Sequence, residues 1–275
     1  MDSTNHNILI SVIMGIRYFR NDLMLLDRSI RSILDQTYQH FEFLICENGS
    51  ASAVSRLLQQ YAEQDCRVRL ISGSGLERLA QKLNRCLKYS SGTWIARMDD
   101  DDYSKPNRFE RQIRWLSAHP DIAFAGCSVE LEQNDHLIGV RKLPELPNVE
   151  DFLFAQPFIH PALLFRREAL DAVGGYCEKP SCAGCEDYDL LLRLYEKGYA
   201  GANIQEPLFR YTLPPKGTSN RTMEMRVNEV RTRFARFQSL GLLPQYFPYV
   251  IKPIAVGLIP QSLLERIKVR RWVHG

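Results

Sequence analysis

The chain has 275 residues, of which 45% are hydrophobic and 24% are charged, and its net charge at pH 7 is +3. This composition is typical of a globular protein with a sizeable core and excludes a disordered or collagen-like chain. The net charge is too small to indicate nucleic-acid binding, so we expect no nucleic-acid partner.

The charge is divided unevenly along the chain. Residues 216–275 contain eleven Lys and Arg against three Glu, a local +8, which leaves −5 for residues 1–215. We therefore predict a main domain over 1–215 and a basic, mainly helical extension over 216–275. The extension either lies on an anionic membrane surface, as a peripheral membrane contact, or forms a packed helical cap.

The N-terminus predicts a cytoplasmic protein. The polar residues 1–7 run directly into an apolar strand-like segment, without the pattern of a signal peptide. The seven cysteines are an odd number and are widely spread, which favours a reducing compartment. Cys182 and Cys185, with Cys177 nearby, could hold zinc, but ordinary reduced thiols are the favoured interpretation.

The first half of the chain alternates strand-like and helix-like segments. Short β-branched runs predict strands at 8–13, 41–46, 68–71 and 93–98, and apolar residues at helical spacing predict helices around 23–34, 57–61 and 76–87. Alternation of this kind indicates a mostly parallel sheet whose ligands bind at the carboxyl ends of the strands.

The second half is less regular. We predict a helix from Pro106 to His119, strands over 122–139 around a turn at Asn134 and Asp135, and a loop at 144–147. Two further helices are predicted at 167–173 and 187–197, each ended by glycine. The Pro-, Gly- and Thr-rich segment 212–219 predicts a linker.

Four consecutive aspartates, Asp99 to Asp102, directly follow the fourth predicted strand. Adjacent carboxylates raise one another's pKa and need a neutralising positive charge. Mg²⁺ or Mn²⁺ is the natural partner of such hard oxygen ligands and also binds substrate phosphates. The alternative is a solvated acidic turn that caps the next helix.

Several segments together resemble family 2 glycosyltransferases of the GT-A fold, a Rossmann-like α/β fold. The resemblance runs from about residue 8 to residue 211. Its segments are SVIMGI at 11–16, SILDQTY at 32–38, FLICENGS at 43–50, WIARMDDDD at 94–102, FIHPALLFRR at 158–167 and CEDYDLLLRL at 185–194. It implies that residues 1–105 bind a nucleotide-sugar and that residues 106–215 bind the acceptor and carry out catalysis.

The resemblance also implies roles for individual residues near the donor. Asp101 and Asp99 would bind the metal, Asp102 is as well explained as a helix cap, and Arg97 would face the diphosphate or be structural. Glu47 stands where the family usually has Asp and would accept a hydrogen bond from the base, which allows uridine. The further donor contacts implied are Gly15, Ile16, Asn48, Arg78, Asn84, Asp99 and Asp100.

The catalytic base implied by the resemblance is Asp187, in the acidic start of an apolar helix, although acids suit a helix N-terminus in any case. Glu186 and His160 would support the acceptor, and Asp189 would face solvent or cap the helix. The family often has a further His after the segment matching Arg210 and Tyr211. This chain has none, and Lys216 could bind phosphate instead.

The function implied is inverting transfer of a sugar, with UDP-sugar as the expected donor, to a glycan or lipid-linked acceptor in cell-surface polysaccharide synthesis. Two alternatives stay open. A metal-dependent sugar nucleotidyltransferase would release pyrophosphate from a nucleoside triphosphate. A non-catalytic nucleotide-sugar-binding subunit of a synthase complex would bind nucleotide without turnover.

Overall fold

The computed structural model describes residues 8–16, 23–48, 51–73, 77–215 and 221–259. Within these ranges the strands are β1 (Ile10–Ile16), β2 (Phe41–Glu47), β3 (Val68–Ser72), β4 (Trp94–Arg97), β5 (Tyr103–Ser104), β6 (Ile122–Gln133), β7 (His136–Arg141), β8 (Leu164–Arg166) and β9 (Ala200–Thr212). The helices are α1 (Met24–Leu34), α2 (Ser52–Gln64), α3 (Leu79–Tyr89), α4 (Arg108–Ala118), α5 (Arg167–Ala172), α6 (Glu186–Glu196), α7 (Met223–Ser239) and α8 (Phe247–Gly257).

One sheet joins these strands in the order β3-β2-β1-β4-β8-β6-β9-β5, with β7 paired to β6. The first four strands in this order are mutually parallel, whereas β8 runs antiparallel to both of its neighbours. Ile16 lies opposite Glu47, and Ile13 lies opposite Arg97. The loops that follow β1, β2 and β4 therefore leave the same edge of the sheet, as the alternation of elements predicted.

Side chains alternate between the two faces of β1, and each face has its own core. Val12 and Met14 pack with the apolar stripes of α1, α2 and α4. Ile13 packs on the opposite side with α3, α5, α6 and the C-terminal helices. A strand buried on both faces reads as a continuous apolar run, which explains the sequence of β1. The α/β fold with a mostly parallel central sheet is confirmed.

The hairpin predicted around Asn134 and Asp135 is present. Both residues have positive φ, 51° and 63°, and they join β6 to β7. Asn and Asp tolerate this left-handed conformation better than other non-glycine residues, and it matches the twist of a hairpin. The prediction of a linker beginning at residue 212 is wrong at its start, because β9 continues through Thr212. Residues 216–220 lie outside the described ranges.

The C-terminal extension is helical where it is described, and it packs on the main domain. Phe237 of α7 and Val250 of α8 are at most 1% exposed and belong to the core that contains α6. Asn228 of α7 donates to the carbonyl oxygens of Pro180 and Ala183, 3.2 and 3.3 Å away. The described part of the extension is thus a packed helical cap, and the domain boundary at 216 stays a prediction.

Among the described residues, none of the helices combines the length and apolarity that a membrane span requires. The Arg- and Lys-rich segment 266–271, on which the predicted membrane contact rests, lies outside the described ranges.

Candidate active site

The acidic loop after β4 is fixed by hydrogen bonds to its backbone. The Ser29 hydroxyl donates to the carbonyl oxygen of Asp99 at 2.7 Å, and the Thr212 hydroxyl donates to that of Asp101 at 2.6 Å. Arg28 also donates to the Asp101 carbonyl, at 3.3 Å. The main chain of the acidic loop is therefore anchored by α1 and β9.

Arg97 is fully buried on β4, and its guanidinium forms an ion pair with the carboxylate of Asp99. The Asp99 side chain is 32% exposed, so it faces both this cation and the open space of the site. Strand alternation left open whether Arg97 faces the diphosphate or is structural. In the structure it holds Asp99 in place and also lines the central cavity.

Asp100 lies between the other carboxylates. Burial, together with the negative charges of Asp101 and Asp99, raises the pKa of Asp100 to about 7. Burial is the larger cause of this shift, and the neighbouring carboxylates add to it. A divalent cation at this place would lower the electrostatic cost.

Asp102 is not a helix cap, and that expectation is wrong. It is fully buried, and its Oδ1 accepts a hydrogen bond from the Thr212 backbone N–H at 2.7 Å. Helix α4 begins at Arg108 with Asn107 at its N-cap position. Asp102 therefore joins the acidic loop to the end of β9, and burial raises its pKa well above the usual range.

The polar residues that end β2 lie beside the end of β1. Glu47 and Asn48 are partly exposed there. The side-chain amide of Asn48 is buried at both its Nδ2 and Oδ1 atoms, and neither atom has a hydrogen-bond partner among the described residues. Since a buried amide without partners costs free energy, this pair of atoms suits a polar ligand. Gly49 and Ser50 lie outside the described ranges.

The two donor contacts predicted at the end of β1 stay predictions for the main chain of these residues. A Cβ atom on Gly15 would lie 2.9 Å from Cβ of Lys82 and 3.1 Å from Cδ1 of Leu79, so helix α3 packs against this side of Gly15. The Ile16 side chain is fully buried in the core. Its carbonyl oxygen accepts a hydrogen bond from the Lys82 ammonium group.

The donor contact predicted for Asn84 on α3 is corrected, because the side-chain amide forms its hydrogen bonds within the protein. It donates to the Tyr176 carbonyl at 2.8 Å and to the Glu178 carboxylate at 2.7 Å, and its oxygen accepts from the Tyr176 N–H at 2.8 Å. Asn84 thus fixes the segment after Gly175 to α3. Arg78 is exposed at the N-cap of α3, next to Leu79, which lines the central cavity.

The second acidic group opens α6, as predicted. Glu186 and Asp187 occupy the first turn, with Cys185 at the N-cap. Glu186 accepts a hydrogen bond from the Gly184 N–H at 2.7 Å, and Asp187 accepts one from the Tyr188 N–H at 2.8 Å. Burial, and then the neighbouring charge of Asp187, raise the pKa of Glu186.

Asp189 neither faces solvent nor caps the helix, contrary to expectation. It is 4% exposed, and its two carboxylate oxygens lie 2.7 Å from Arg193 and 3.5 Å from Arg236. Because both cations neutralise it on the side away from the cavity, Asp189 anchors α6 to α7. Asp187, two residues earlier, therefore remains the candidate base of this helix.

His160 is buried, and its Nε2 lies 2.8 Å from the Tyr176 hydroxyl. Burial, and then the charge of Arg97, lower the pKa of His160 to about 3. The imidazole is therefore neutral at physiological pH. It lines the site as a hydrogen-bonding group and not as a cation.

A cavity of about 580 Å³ brings these groups together. Asp99 and Arg97 lie on one side of it, and Glu186, Asp187 and His160 are also part of its lining. The two acidic clusters, which are far apart in the sequence, therefore face one space. Glu47, Asn48 and Asp101 are not among the described residues that line this cavity.

Sequence reasoning missed three groups that complete the site. Tyr211 lines the cavity, and burial and the charge of Asp102 raise its pKa. Lys82, only 1% exposed, holds the carbonyl of Ile16 and lies 3.5 Å from that of Asn48. Arg226 of α7 also lines the cavity. Of these three groups only Lys82 had a sequence signal, because it is a lysine on the apolar face of helix α3.

The cysteine group raised as a zinc candidate is only partly assembled. The ligand atoms of Cys177, Cys182 and Asp189 lie within 4.8 Å of one another. Cys185 is not in this group, and its thiol contacts Thr232 at 3.3 Å. Since Asp189 is already paired with two arginines, a further cation there is disfavoured, and ordinary thiols remain the better description.

The sequence model of "Glycosyl transferase family 2" matches residues 17–174. Over 266 residues the chain is 31% identical to "Putative glycosyltransferase EpsE" of Bacillus subtilis, covering 96% of this chain and 95% of the relative. It is 33% identical to "O-antigen biosynthesis glycosyltransferase WbnJ" of Escherichia coli, covering 76% and 82%.

Solved structures share the fold at low sequence identity. The S. aureus TarS fragment 1–349 with UDP-GlcNAc has a TM-score of 0.68 at 13% identity, covering 88% of this chain and 72% of that one. The mannosyltransferase PcManGT from Pyrobaculum calidifontis, with GDP-Man and Mn²⁺, has a TM-score of 0.59 at 16% identity, covering 95% and 79%. Given the family match and these relatives, the chain belongs to glycosyltransferase family 2 and is a glycosyltransferase of the GT-A fold.

Proposed function

We propose that this glycosyltransferase moves a sugar from a nucleoside diphosphate donor to an acceptor hydroxyl with inversion at the anomeric carbon. The observation that carries the proposal is the position of Asp187 and Asp99 on one cavity, reached from different elements of the fold. Inverting transfer needs a base on the acceptor side and charge stabilisation on the leaving-group side. Two separate acidic groups across one space meet that requirement.

On the donor side, Asp99 and Asp101 are the residues that would hold Mg²⁺ or Mn²⁺. The donor set fits, because carboxylate oxygens are the ligands that these hard cations prefer and the loop contains four consecutive aspartates. When bound, the cation would stabilise the charge of the departing diphosphate. Arg97 keeps the Asp99 carboxylate in a fixed position for this contact.

On the acceptor side, Asp187 would take the proton of the attacking hydroxyl. Its Oδ1 is held by the Tyr188 N–H, so the second carboxylate oxygen is the one offered to the acceptor. Glu186, whose pKa is raised, would donate or accept a hydrogen bond to another acceptor hydroxyl. Neutral His160 would add a further polar contact without adding charge.

For the nucleotide, we propose uridine recognised by Glu47 and Asn48. The Glu47 carboxylate accepts from the ring N–H of the base, and the side-chain amide of Asn48, which has no partner among the described residues, offers a donor to a base carbonyl. Both residues lie at the end of β2, on the edge of the sheet from which the acidic loop leaves.

A role in cell-surface polysaccharide synthesis, with a glycan or lipid-linked saccharide as acceptor, is supported by the name of the relative WbnJ, an O-antigen biosynthesis enzyme. The cation is supported by the Mn²⁺ bound to PcManGT. Comparison of UDP-sugars and GDP-mannose as donors, each with lipid-diphosphate-linked saccharides and free glycans, would define both substrates.

The test of the mechanism uses donor turnover with Mn²⁺ or with EDTA. D187N is expected to lower kcat by about 10²- to 10⁴-fold, the usual contribution of a general base, while nucleotide binding persists. D101A is expected to abolish the Mn²⁺ response. The matched control is D171N, which changes an exposed aspartate of α5. Undiminished transfer in D187N, or a product of retained configuration by NMR, contradicts the assignment.

We further propose that the protein works at the inner face of a membrane. Helix α8 exposes Phe247 and Ile251 at 46 and 50%, Leu258 directly after the helix is 75% exposed, and the basic segment 266–271 follows in the sequence. Exposed apolar residues beside basic residues favour binding to an anionic bilayer. The double variant I251E/L258E should float less with phosphatidylglycerol vesicles than L146E, a charge placed on an exposed leucine elsewhere. Equal flotation refutes this role.

A further inference from the structure

The active-site cavity has a wall built by the C-terminal helices. Besides the catalytic groups, its lining includes Arg226 and Arg233 of α7 and Lys252, Pro253 and Val256 of α8. These residues lie outside the segment 17–174 that the family model matches. This wall is therefore built by residues beyond the matched family segment.

Two of the positive charges on this wall have an ion-pair partner. Arg221 and Arg233 both form ion pairs with Glu229, whose carboxylate is 10% exposed. Arg233 also donates to the carbonyl of Leu153 at 2.9 Å. The single negative charge of Glu229 is thus shared by two arginines, which leaves this group of side chains with a net positive charge.

Arg226 differs from them. Its residue is only 9% exposed, and among the described residues no carboxylate lies within the 4.0 Å of an ion pair. Its only side-chain hydrogen bond in that part of the chain goes from Nη1 to the carbonyl of Pro253, at 3.2 Å. A guanidinium has five N–H donors, so most of those of Arg226 have no partner among the described residues, and the residue lines the cavity.

An unpaired buried cation is expensive, because its lost hydration is not replaced. The neighbouring charge of Arg221 increases the cost, and burial together with that charge lowers the pKa of Arg226. Helix packing nevertheless fixes the side chain, since its Cδ would lie 2.6 Å from a Cβ atom on Gly257. The arrangement is that of an anion site whose ligand arrives with the substrate.

We propose that Arg226 binds an anionic group of the acceptor, in a subsite separate from the donor diphosphate. This inference rests on the proposed function, since it assigns the acceptor to this side of the same cavity. The anion is a phosphoryl group of a lipid-diphosphate-linked or phosphorylated saccharide, or a carboxylate of an acidic sugar. Arginine recognises both through paired N–H donors.

The apolar residues beside Arg226 fit the same ligand. Pro253 and Val256 line the cavity from α8, and Phe154 lines it opposite them, with the Lys252 ammonium 3.3 Å from its ring centroid. Apolar surface around a cation lowers the local dielectric constant, and this strengthens an ionic hydrogen bond to the cation.

The experiment measures anion binding by calorimetry in EDTA, which keeps the metal-dependent donor site empty. The probes are inorganic pyrophosphate, glucuronate and neutral methyl glucoside. R226Q should weaken binding of the preferred anion about 10- to 100-fold, the range for loss of a charge-assisted hydrogen bond, and R226K should keep part of it. The matched control is R231Q, an exposed arginine on the same helix, which should bind like the wild type.

The pattern of probes identifies the source of the anion. Preference for pyrophosphate indicates a phosphorylated acceptor, and preference for glucuronate indicates an acidic sugar. Equal affinity in R226Q and wild type, or wild-type protein that binds neither anion better than methyl glucoside, overturns the proposal. UDP binding with Mn²⁺ is measured in parallel, because its loss in the wild type would contradict the proposed function rather than this subsite.

Discussion

The carboxylate of Asp102 accepts a hydrogen bond from the backbone N–H of Thr212, and this contact joins the acidic loop to the last strand of the sheet. The Thr212 hydroxyl returns a second hydrogen bond to the carbonyl of Asp101. Asp101 and Asp102 are thus both hydrogen-bonded to one residue of β9. Asp102 thus joins the loop that carries Asp99 and Asp101 to β9.

This arrangement predicts that Asp102 acts through its oxygen and not through its charge. D102A should lower the free energy of unfolding by about 1–3 kcal/mol, the cost of a buried hydrogen bond whose partner is left unsatisfied. D102N keeps an oxygen acceptor and should unfold near the wild-type urea midpoint, with Mn²⁺-dependent turnover within a few-fold of wild type. Abolished Mn²⁺ dependence in a folded D102N protein would make Asp102 a metal ligand.

Asn84 is predicted to be a structural residue. N84A removes hydrogen bonds to Tyr176 and Glu178 and should lower the free energy of unfolding by about 1–3 kcal/mol. The KM for the nucleotide-sugar should stay within about threefold, because both N–H donors of Asn84 are used within the protein. A large rise in KM with an unchanged urea midpoint would restore it as a donor contact.

His160 predicts a dependence of stability on pH. Because its folded pKa is about 3 and its unfolded pKa is about 6.5, the unfolded chain binds a proton below the latter value that the folded chain does not. Stability is therefore fully present above about pH 6.5 and falls by about 1.4 kcal/mol per pH unit below it. Between pH 7 and pH 5 the wild type should lose about 2 kcal/mol more than H160Q. Parallel urea-midpoint curves for the two proteins would contradict this prediction.

Gly184, which precedes the catalytic segment, is predicted to couple that segment to α7. Its φ is +80°, and an added Cβ would lie 2.6 Å from Cγ of Met225. G184A should lower both stability and kcat, through about 1–3 kcal/mol of backbone strain plus the contact with Met225. The double variant G184A/M225A should recover the part of the loss in stability and kcat that is due to the contact with Met225.

The control for this prediction is G198A. Gly198 has a φ of +82° at the end of α6, but an added Cβ there meets nothing within 4 Å. The G198A variant should lower the free energy of unfolding through backbone strain, with little change in kcat. A kcat for G198A as low as that of G184A would mean that backbone strain alone, and not α7, accounts for the effect.

The parallel half of the fold was predictable because its signals are local. β1, β2 and β4 are continuous apolar runs buried on both faces, and their loops had to emerge on one edge. Asp187 was selected as the candidate base because its segment resembles a family motif, and its predicted place at a helix start is confirmed. The second half was harder: β8 has three residues and carries no periodicity, and β9 pairs with β6 at a long separation along the chain.

The errors in the site have a common physical cause. Asn84, Asp102 and Asp189 are polar residues next to functional motifs, and sequence reasoning assigned them to ligand, cap or solvent. In the structure each is satisfied by a distant partner, namely Tyr176, Thr212 and Arg236. Such partners depend on packing between elements, which no local pattern reveals. Arg226 was missed for the same reason, since its position on the cavity depends on how α7 folds back.

The division of the cavity between two parts of the chain has a consequence for how new specificities arise. The edge formed by β1, β2 and β4 holds the groups proposed to meet the donor, whereas α7 and α8 supply the opposite wall. Substitutions on that wall, such as at Val256, leave the acidic loop and its anchors untouched. A single ancestral catalytic framework could therefore diversify its products by exchanging only the last helices, and grafting them between relatives is a direct route to engineered linkages.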